Sequence, residues 1–164
     1  MAISSDAFRD ALRHFPSGVT LVTLAAGGQR HGLTVSAFAS VSPEPPLIAV
    51  AIDHRHRAHA LLELPDAVFA VNVLGEDQRP LADRFAWSEE EDRFAAGSWS
   101  VAVTGAPVLA DALAWLDCTI AARHVAGTHT LYVGRVEASA VPRPGGVPLL
   151  YWNRDYRRLA VPPE

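Results

Sequence analysis

The segment HRHRAH, which begins at His54, is the densest group of chemically active side chains in the sequence. The spacing of His54, His56 and His59 matches neither a zinc ribbon nor an H-E-x-x-H helix, so it argues against a metal site. The segment follows an apolar run and opens a predicted helix, where free N–H groups and Arg55 or Arg57 favour a phosphate. A solvated basic loop is the alternative.

A second segment, HGLTVSAFASVSPEPPL, starts at His31 and carries one threonine and three serines among small apolar residues: Thr34, Ser36, Ser40 and Ser42. Small side chains let a planar ring system approach the backbone, whose N–H and C=O groups then recognise its polar edge. The alternative is a half-exposed strand with its hydroxyls in water, and the alternation taken alone favours that interpretation.

Three further residues have both a chemical and a structural interpretation. Arg84 either reaches the same anion or pairs with a carboxylate such as Asp83 or Glu89. Cys118 lies in an apolar run, which is typical of a packed core thiol, whereas Cys-His protease chemistry would need His124 or His129 beside it. His129 follows a glycine turn and either caps that turn or faces a cofactor.

Composition excludes several classes of protein. All 14 basic residues are arginine, so Schiff-base chemistry through lysine and a P-loop are excluded, and GGQRHG is not a G-x-G-x-x-G dinucleotide motif. A net charge of −4 argues against a nucleic-acid or anionic-membrane surface. No apolar run is long enough to span a membrane, and the amino-terminal segment does not resemble a signal peptide. The single cysteine excludes an intrachain disulfide and predicts a cytoplasmic protein.

The elements that must position these residues are predominantly strands. The pattern predicts a helix over Ser5–Phe15, and two short helices near 54–64 and 76–85. It also predicts six or seven strands joined by short turns, the first four being Val19–Ala26, the 31–47 segment up to its break at Pro43, Leu47–Asp53 and Val68–Leu74. The segment WSEEEDRFAAGSW is predicted to be a solvated loop, and LLYWNRDYRRL is predicted to be a strand or turn near the surface. The chain is therefore expected to be mainly β, a single domain over 1–164 forming an antiparallel barrel with peripheral helices.

Seven motifs together resemble one known family: FPSGVTLVT, HGLTVSAFASVSPEPPL, FAVNVL, DRFA, GAPVL, ALAWLDC and PLLYW. They occur in the order seen in the flavin reductase-like family, and the resemblance runs from Phe8 to Leu159. Members of this family are short-chain NAD(P)H:flavin oxidoreductases (EC 1.5.1-type), many of which supply reduced flavin to a partner monooxygenase. The resemblance implies an FMN-binding split barrel, an antiparallel Greek-key β-barrel.

The resemblance also implies cofactors and partners. It implies FMN or FAD as the flavin, NADH or NADPH as the hydride donor, and a homodimer, for which Trp87, Trp99 and Trp152 provide candidate exposed apolar residues. Two alternatives stay open: a flavin-binding or storage module that does not turn flavin over, and an oxygenase-linked variant in which tightly held flavin reacts with a substrate on the same chain.

Site residues follow from the same resemblance. His129 matches the histidine of the family's Gly-Asp-His signature, although here the triplet is Gly127-Thr128-His129, and it is the predicted catalytic residue, positioning the nicotinamide. The cofactor-binding residues implied are Arg30, His31, Gly32, Leu33, Thr34, Ser36, Ala37, Ala51, Ile52, Asp53, Arg57, Ala58, Arg84, Tyr151, Trp152, Asn153 and Arg154. Of these, Arg57, Ala58 and Arg84 are expected near the flavin phosphate, and the last four beside the nicotinamide.

Overall fold

The computed structural model describes residues 2–87 and 92–160. Its strands are β1 (Ser17–Gly18), β2 (Thr20–Ala26), β3 (Gln29–Val35), β4 (Phe38–Pro43), β5 (Pro46–Asp53), β6 (Val68–Val73), β7 (Trp99–Val101), β8 (Pro107–Leu109), β9 (Ala114–Ala126), β10 (His129–Ala140), β11 (Leu149–Trp152) and β12 (Asp155–Arg158). The helices are α1 (Ser5–Leu12), α2 (Arg57–Leu62) and α3 (Arg79–Trp87), with short 3₁₀ helices at Glu76–Gln78 and Arg93–Ala95.

Seven strands form one antiparallel sheet in the order β3-β2-β6-β9-β10-β5-β4. The two edge strands, β3 and β4, are consecutive in the chain and only Ser36 and Ala37 separate them. The sheet must therefore curl until its edges meet, which produces the predicted split barrel. The barrel encloses apolar side chains from opposite strands, among them Val22, Val50, Phe69 and Tyr132, all fully buried.

A second, smaller core packs outside the barrel, where α3 covers the ends of β2 and β3. Phe85 of α3 stacks edge-on with Phe94, and both rings contact Trp99. The approach of α3 to β3 depends on Gly32, because a Cβ at this position would lie 2.6 Å from Phe85 Cε1.

Several sequence predictions need correction. The segment starting at His31 was predicted as one partner strand for β2, but it breaks at Ser36 and Ala37, after which β4 pairs with β5 instead. The predicted solvated loop contains a 3₁₀ helix whose Phe94 is buried, and Trp99 packs against the core rather than lying exposed. The rest of that loop, 88–91, lies outside the described residues, as does the predicted partner Glu89.

The helices are shorter than predicted. α1 ends at Leu12 instead of Phe15 and α2 has six residues. Within the described ranges, no helix is long and apolar enough to cross a membrane. Cys118 is a free, fully buried thiol, as predicted, and burial raises its pKa to about 12.

Candidate functional site

The side chains of HRHRAH point to two different places. Nε2 of His54 and Nε2 of His59 each lie 3.1 Å from the buried hydroxyl of Thr130 on β10. His56 and Arg57 instead line a cleft on the other side, and Arg57 donates from Nη2 to Gln29 Oε1 at 2.5 Å. The three histidines therefore do not meet at one point. His54 and His59 contact the barrel strand β10, whereas His56 and Arg57 face the cleft.

Arg55 has a separate partner, Asp53 at the end of β5. The Asp53 carboxylate accepts from the Arg55 backbone N–H at 2.9 Å and from its guanidinium at 2.6 Å. These hydrogen bonds hold the pKa of Asp53 well below its usual range, so this carboxylate stays ionised.

The first cleft, here called the arginine cleft, has a volume of about 610 Å³. It lies between β3, the start of α2, α3 and the β11–β12 hairpin. Four guanidiniums line it against two carboxylates: Arg57, Arg79, Arg93 and Arg154 against Asp83 and Asp155. This excess of positive charge makes the cleft suited to phosphate groups.

Some of the predicted cofactor-binding side chains have structural partners. Arg84 donates to the backbone carbonyls of Arg93 at 2.9 Å and Asp92 at 3.0 Å, and Arg30 lies over the Phe94 ring at 4.6 Å and pairs with Asp92. These contacts fix the 3₁₀ segment against β3 and α3. The hydroxyl of Thr34 donates to Ala82 O at 2.6 Å and so ties α3 to the wall of the cleft, leaving its oxygen as an acceptor.

His31 lines the arginine cleft, where burial and positive charge change its pKa. Burial, together with the nearby charges of Arg93 and Arg57, lowers its pKa from 6.5 to about 4. The imidazole is therefore neutral at pH 7 and can donate or accept a hydrogen bond.

The second cleft, here called the alanine cleft, has a volume of about 840 Å³. Its floor is formed by small side chains on the outer face of the barrel: Ala37, Ala39, Ala49 and Ala51, together with Leu131. The strand pairing Ala39↔Ala49 and Ala51↔Leu131 puts these positions on one face. Leu12, Phe15 and Trp152 form an apolar wall, so the cleft offers a flat surface and an apolar edge to a planar ring.

His129 and Asp53 continue the same face. His129 pairs with Asp53 in the β10–β5 ladder, two residues along from the Leu131↔Ala51 pair. Because alternate residues of a strand share a face, both side chains point to the side of the alanine floor, at its end. Thr128 stands where the family signature has an acidic residue, and its Oγ1 lies within hydrogen-bonding distance, 3.0 Å, of Nδ1 of His129.

The β11–β12 hairpin joins the two clefts. Ser36, Tyr151 and Arg154 line both of them. The hairpin turns at Asn153 and Arg154, whose φ values of 52° and 64° are those of a tight two-residue turn. Asn153 N–H donates to Arg13 O at 2.9 Å, which fixes the turn beside the end of α1.

The structure thus brings most of the predicted site residues to two connected clefts. The arginine cleft holds His31, Leu33, Thr34, Ser36, Arg57, Tyr151 and Arg154, and the alanine cleft holds Ser36, Ala37, Ala51, Tyr151, Trp152, Asn153 and Arg154. Ile52 and Ala58 are fully buried and line neither cleft. Arg30, Gly32, Asp53, Arg84 and His129 line neither cleft in the single chain.

Sequence reasoning missed the residues that reach the clefts from distant elements. These are Arg79, Asp83, Arg93 and Tyr156 in the arginine cleft, and Arg9, Leu12, Arg13 and Phe15 in the alanine cleft. Tyr156 packs edge-on against Tyr151 and under Arg79; burial and Asp83 raise its pKa to about 12. Asp83 and Phe15 lie in the motifs DRFA and FPSGVTLVT but were not assigned to the site, and the other six lie in no motif. Only the tertiary fold could have placed these residues at the clefts.

Comparison with known proteins gives consistent matches over almost the whole chain. The family model "Flavin reductase like domain" matches residues 12–160. FMN reductase (NADH) RutF 1 of Methylorubrum extorquens is 40% identical over 163 residues, covering 99% of this chain and 80% of that protein. The reductase component of the FADH(2)-dependent resorcinol hydroxylase of Rhizobium sp. is 40% identical, covering 91% and 84% respectively.

Comparison with solved structures gives the same result as comparison with sequences. The Streptomyces globisporus NADH:FAD oxidoreductase, in complex with NAD and FAD fragments, superposes with a TM-score of 0.87 at 32% identity, covering 98% of this chain and 97% of that one. With a family model spanning most of the sequence and relatives at this level of identity, the chain belongs to the flavin reductase-like family.

Proposed function

We propose that this protein is an NAD(P)H:flavin oxidoreductase (EC 1.5.1-type) that reduces FMN or FAD and supplies the reduced flavin to a partner monooxygenase. The observation that carries the proposal is the continuity of the alanine floor with the arginine cleft through Ser36, with His129 on the same face of the sheet, paired with Asp53. A flat apolar floor leading into a cationic cleft matches a molecule with a planar ring at one end and a phosphate at the other.

The two clefts suggest how the chain holds the flavin. Ala37 and Ala51 offer no side chain beyond Cβ, so a ring can lie close to the backbone of β4 and β5. Ser36 and Thr34 are placed to accept or donate hydrogen bonds along the polyol chain of the flavin. Arg57 and Arg154 are placed to bind its phosphate.

When bound, flavin and nicotinamide supply the chemistry, a hydride transfer between two stacked rings. The chain has to hold those rings in contact and exclude water, which is a task of positioning. His129 is suited to position the nicotinamide because it stands at the end of the floor, with Thr128 beside its Nδ1. Tyr151, Trp152 and Asn153 form the facing wall.

The identity of the hydride donor and of the acceptor protein rests on the relatives. The RutF proteins are named as NADH-dependent FMN reductases, and the Rhizobium relative is named as the reductase component of a hydroxylase. We therefore favour NADH over NADPH and a flavin-dependent monooxygenase as the partner. The single buried, free Cys118 fits the prediction of a cytoplasmic protein.

A homodimer is part of the proposal. Phe8, Leu12 and Phe15 form an apolar stripe along and just beyond α1, and each is more than half exposed. No residue of α1 itself is buried by the described part of the chain, which leaves the stripe for a second copy.

The direct test is NADH oxidation by the purified protein with and without added FMN, FAD or riboflavin. Flavin-dependent oxidation is expected, and its absence with all three flavins would contradict the proposal.

The Ala51→Leu variant tests whether flavin binds on the alanine floor. A larger side chain at this outward-facing position should weaken flavin binding at least tenfold without lowering thermal stability. Ser139→Leu, an exposed position farther along β10, is the matched control and should bind flavin normally.

A further inference from the structure

Trp87 is the last residue of α3 and forms part of the wall of the arginine cleft, together with Phe85 and Ala86. Its side chain is 79% exposed, whereas Phe85 beside it is fully buried. A single exposed apolar residue is common on protein surfaces. An exposed indole on the wall of a cleft lined by four arginines is different, because that combination of an aromatic face and cations matches a nucleotide.

The position of the alanine floor sets the orientation in which a flavin would lie across the two clefts. A flavin whose ring lies on Ala37 and Ala51 passes Ser36, where the clefts join, and brings its phosphate into the arginine cleft. FMN ends at that phosphate. FAD continues through a second phosphate into adenosine, which then has to occupy the remainder of the cleft, where α3 presents Trp87.

We propose that the indole of Trp87 is the stacking surface for the adenine ring of a dinucleotide bound in the arginine cleft. This inference rests on the proposed function, since it takes the flavin site as given. The adenine belongs to FAD or to the nicotinamide dinucleotide, which share this ring. In the orientation set by the alanine floor it is that of FAD, so Trp87 makes the protein bind FAD more tightly than FMN.

Stacking of a base on an aromatic side chain is strong enough to measure. Replacing such a side chain by alanine weakens binding on the order of tenfold. Trp87→Ala should therefore weaken FAD binding by about tenfold and change FMN binding by less than about twofold. Trp87→Phe keeps an aromatic face and should retain most of the FAD affinity. Val125→Ala, at an equally exposed apolar position on the β9–β10 hairpin, is the control and should change neither.

The experiment is calorimetric titration of the wild type and these variants with FMN, FAD, AMP and NADH, with circular dichroism to verify folding. Selective loss of FAD and AMP binding supports the adenine site as belonging to the flavin. Loss of NADH binding with FAD unchanged assigns the same adenine site to the nicotinamide dinucleotide. Equal losses for FMN and FAD, or no loss for any ligand, would overturn the inference.

The same titration separates this inference from the proposed function. A wild-type protein that binds neither FMN nor FAD contradicts the proposed function itself. A wild type that binds and reduces flavin, with Trp87→Ala indistinguishable from it toward FAD, AMP and NADH, contradicts only the assignment of Trp87.

Discussion

His129 is the residue on which the proposed nicotinamide contact depends. It is half-buried, pairs with Asp53 across the β10–β5 ladder and has Thr128 Oγ1 3.0 Å from its Nδ1. The sequence could indicate His129 because a glycine turn precedes it and a family motif surrounds it. Its position at the end of a floor of alanines could not be predicted, since that position depends on the pairing of β10 with β5.

We expect His129→Ala to raise the KM for NADH about tenfold or more while flavin affinity changes little, because the proposed role of the ring is to position the nicotinamide and not the flavin. Steady-state kinetics with NADH and flavin varied independently measure this, together with flavin titration. His14→Ala, an exposed histidine that lines neither cleft, serves as the control. Equal effects on NADH and flavin would show that His129 is structural.

His31 gives a prediction about pH. Its pKa is about 4 in the folded protein and 6.5 when unperturbed, so between these values the unfolded chain binds a proton that the folded chain does not. The stability of the fold therefore falls as pH decreases from 6.5 to 4, and the loss is complete below pH 4.

Replacing His31 with glutamine should remove this contribution. Urea unfolding at pH 7.5 and at pH 4 should show a smaller decrease in unfolding free energy for His31→Gln than for wild type, by about 1 kcal/mol after allowing for partial exposure. Other titrating groups are common to both proteins and cancel in the difference. Identical pH profiles for the two proteins would contradict a half-buried, neutral His31.

At the scale of elements, the segment starting at His31 shows what local pattern could and could not predict. Its small residues were predicted to form a surface for a planar ligand, and Ser36 and Ala37 line the clefts. The pattern did not show that the chain changes partners at these two residues. Strand pairing is a long-range property, and the alternation continues on either side of the break. Arg93 and Phe94 were assigned to a solvated loop for the same reason, because their partners on β3 and α3 are distant in sequence.

The turn of the β11–β12 hairpin contains Asn153, whose role is conformational, and Arg154, which is also proposed to bind the flavin phosphate. Asn153 and Arg154 both have positive φ, which costs a residue with a Cβ about 1 kcal/mol and asparagine less. Asn153→Ala should therefore lower the unfolding free energy by about 1 kcal/mol, as measured by urea denaturation.

Arg154→Gly should leave stability unchanged or raise it, because glycine adopts this conformation without strain. The same variant should bind FMN about tenfold more weakly, whereas riboflavin, which has no phosphate, should bind as it does to wild type. Equal weakening of FMN and riboflavin would indicate that Arg154 shapes the alanine cleft and does not bind the phosphate.

At the scale of the whole molecule, the curled sheet places a flat floor outside the barrel and lets α3 and the β11–β12 hairpin build a cationic cleft beside it. The mainly β architecture was predictable because turn signals and strand-forming runs are local. The connection between the two clefts was not, since it requires residues from α1, β3, α3 and β12 to meet.

The apolar stripe on α1 leads to a prediction about assembly. The chain of 17.6 kDa should sediment at twice this mass, and Phe8→Glu should shift it to the monomer, weakening association about a hundredfold because symmetry places two copies of the change in the interface. Asp6→Asn, on the same helix but not apolar, is the control. A monomeric wild type at micromolar concentration would contradict the dimer.

The central claim is that this chain transfers hydride from NADH to flavin. The most direct measurement is an anaerobic titration of the protein with an equal amount of FMN or FAD, followed by NADH, while the visible absorption of oxidised flavin is recorded. The flavin absorption should disappear and an equal amount of NADH should be consumed. Flavin that binds tightly to the protein but keeps its oxidised spectrum after NADH is added would contradict the claim and would identify a flavin-binding module instead.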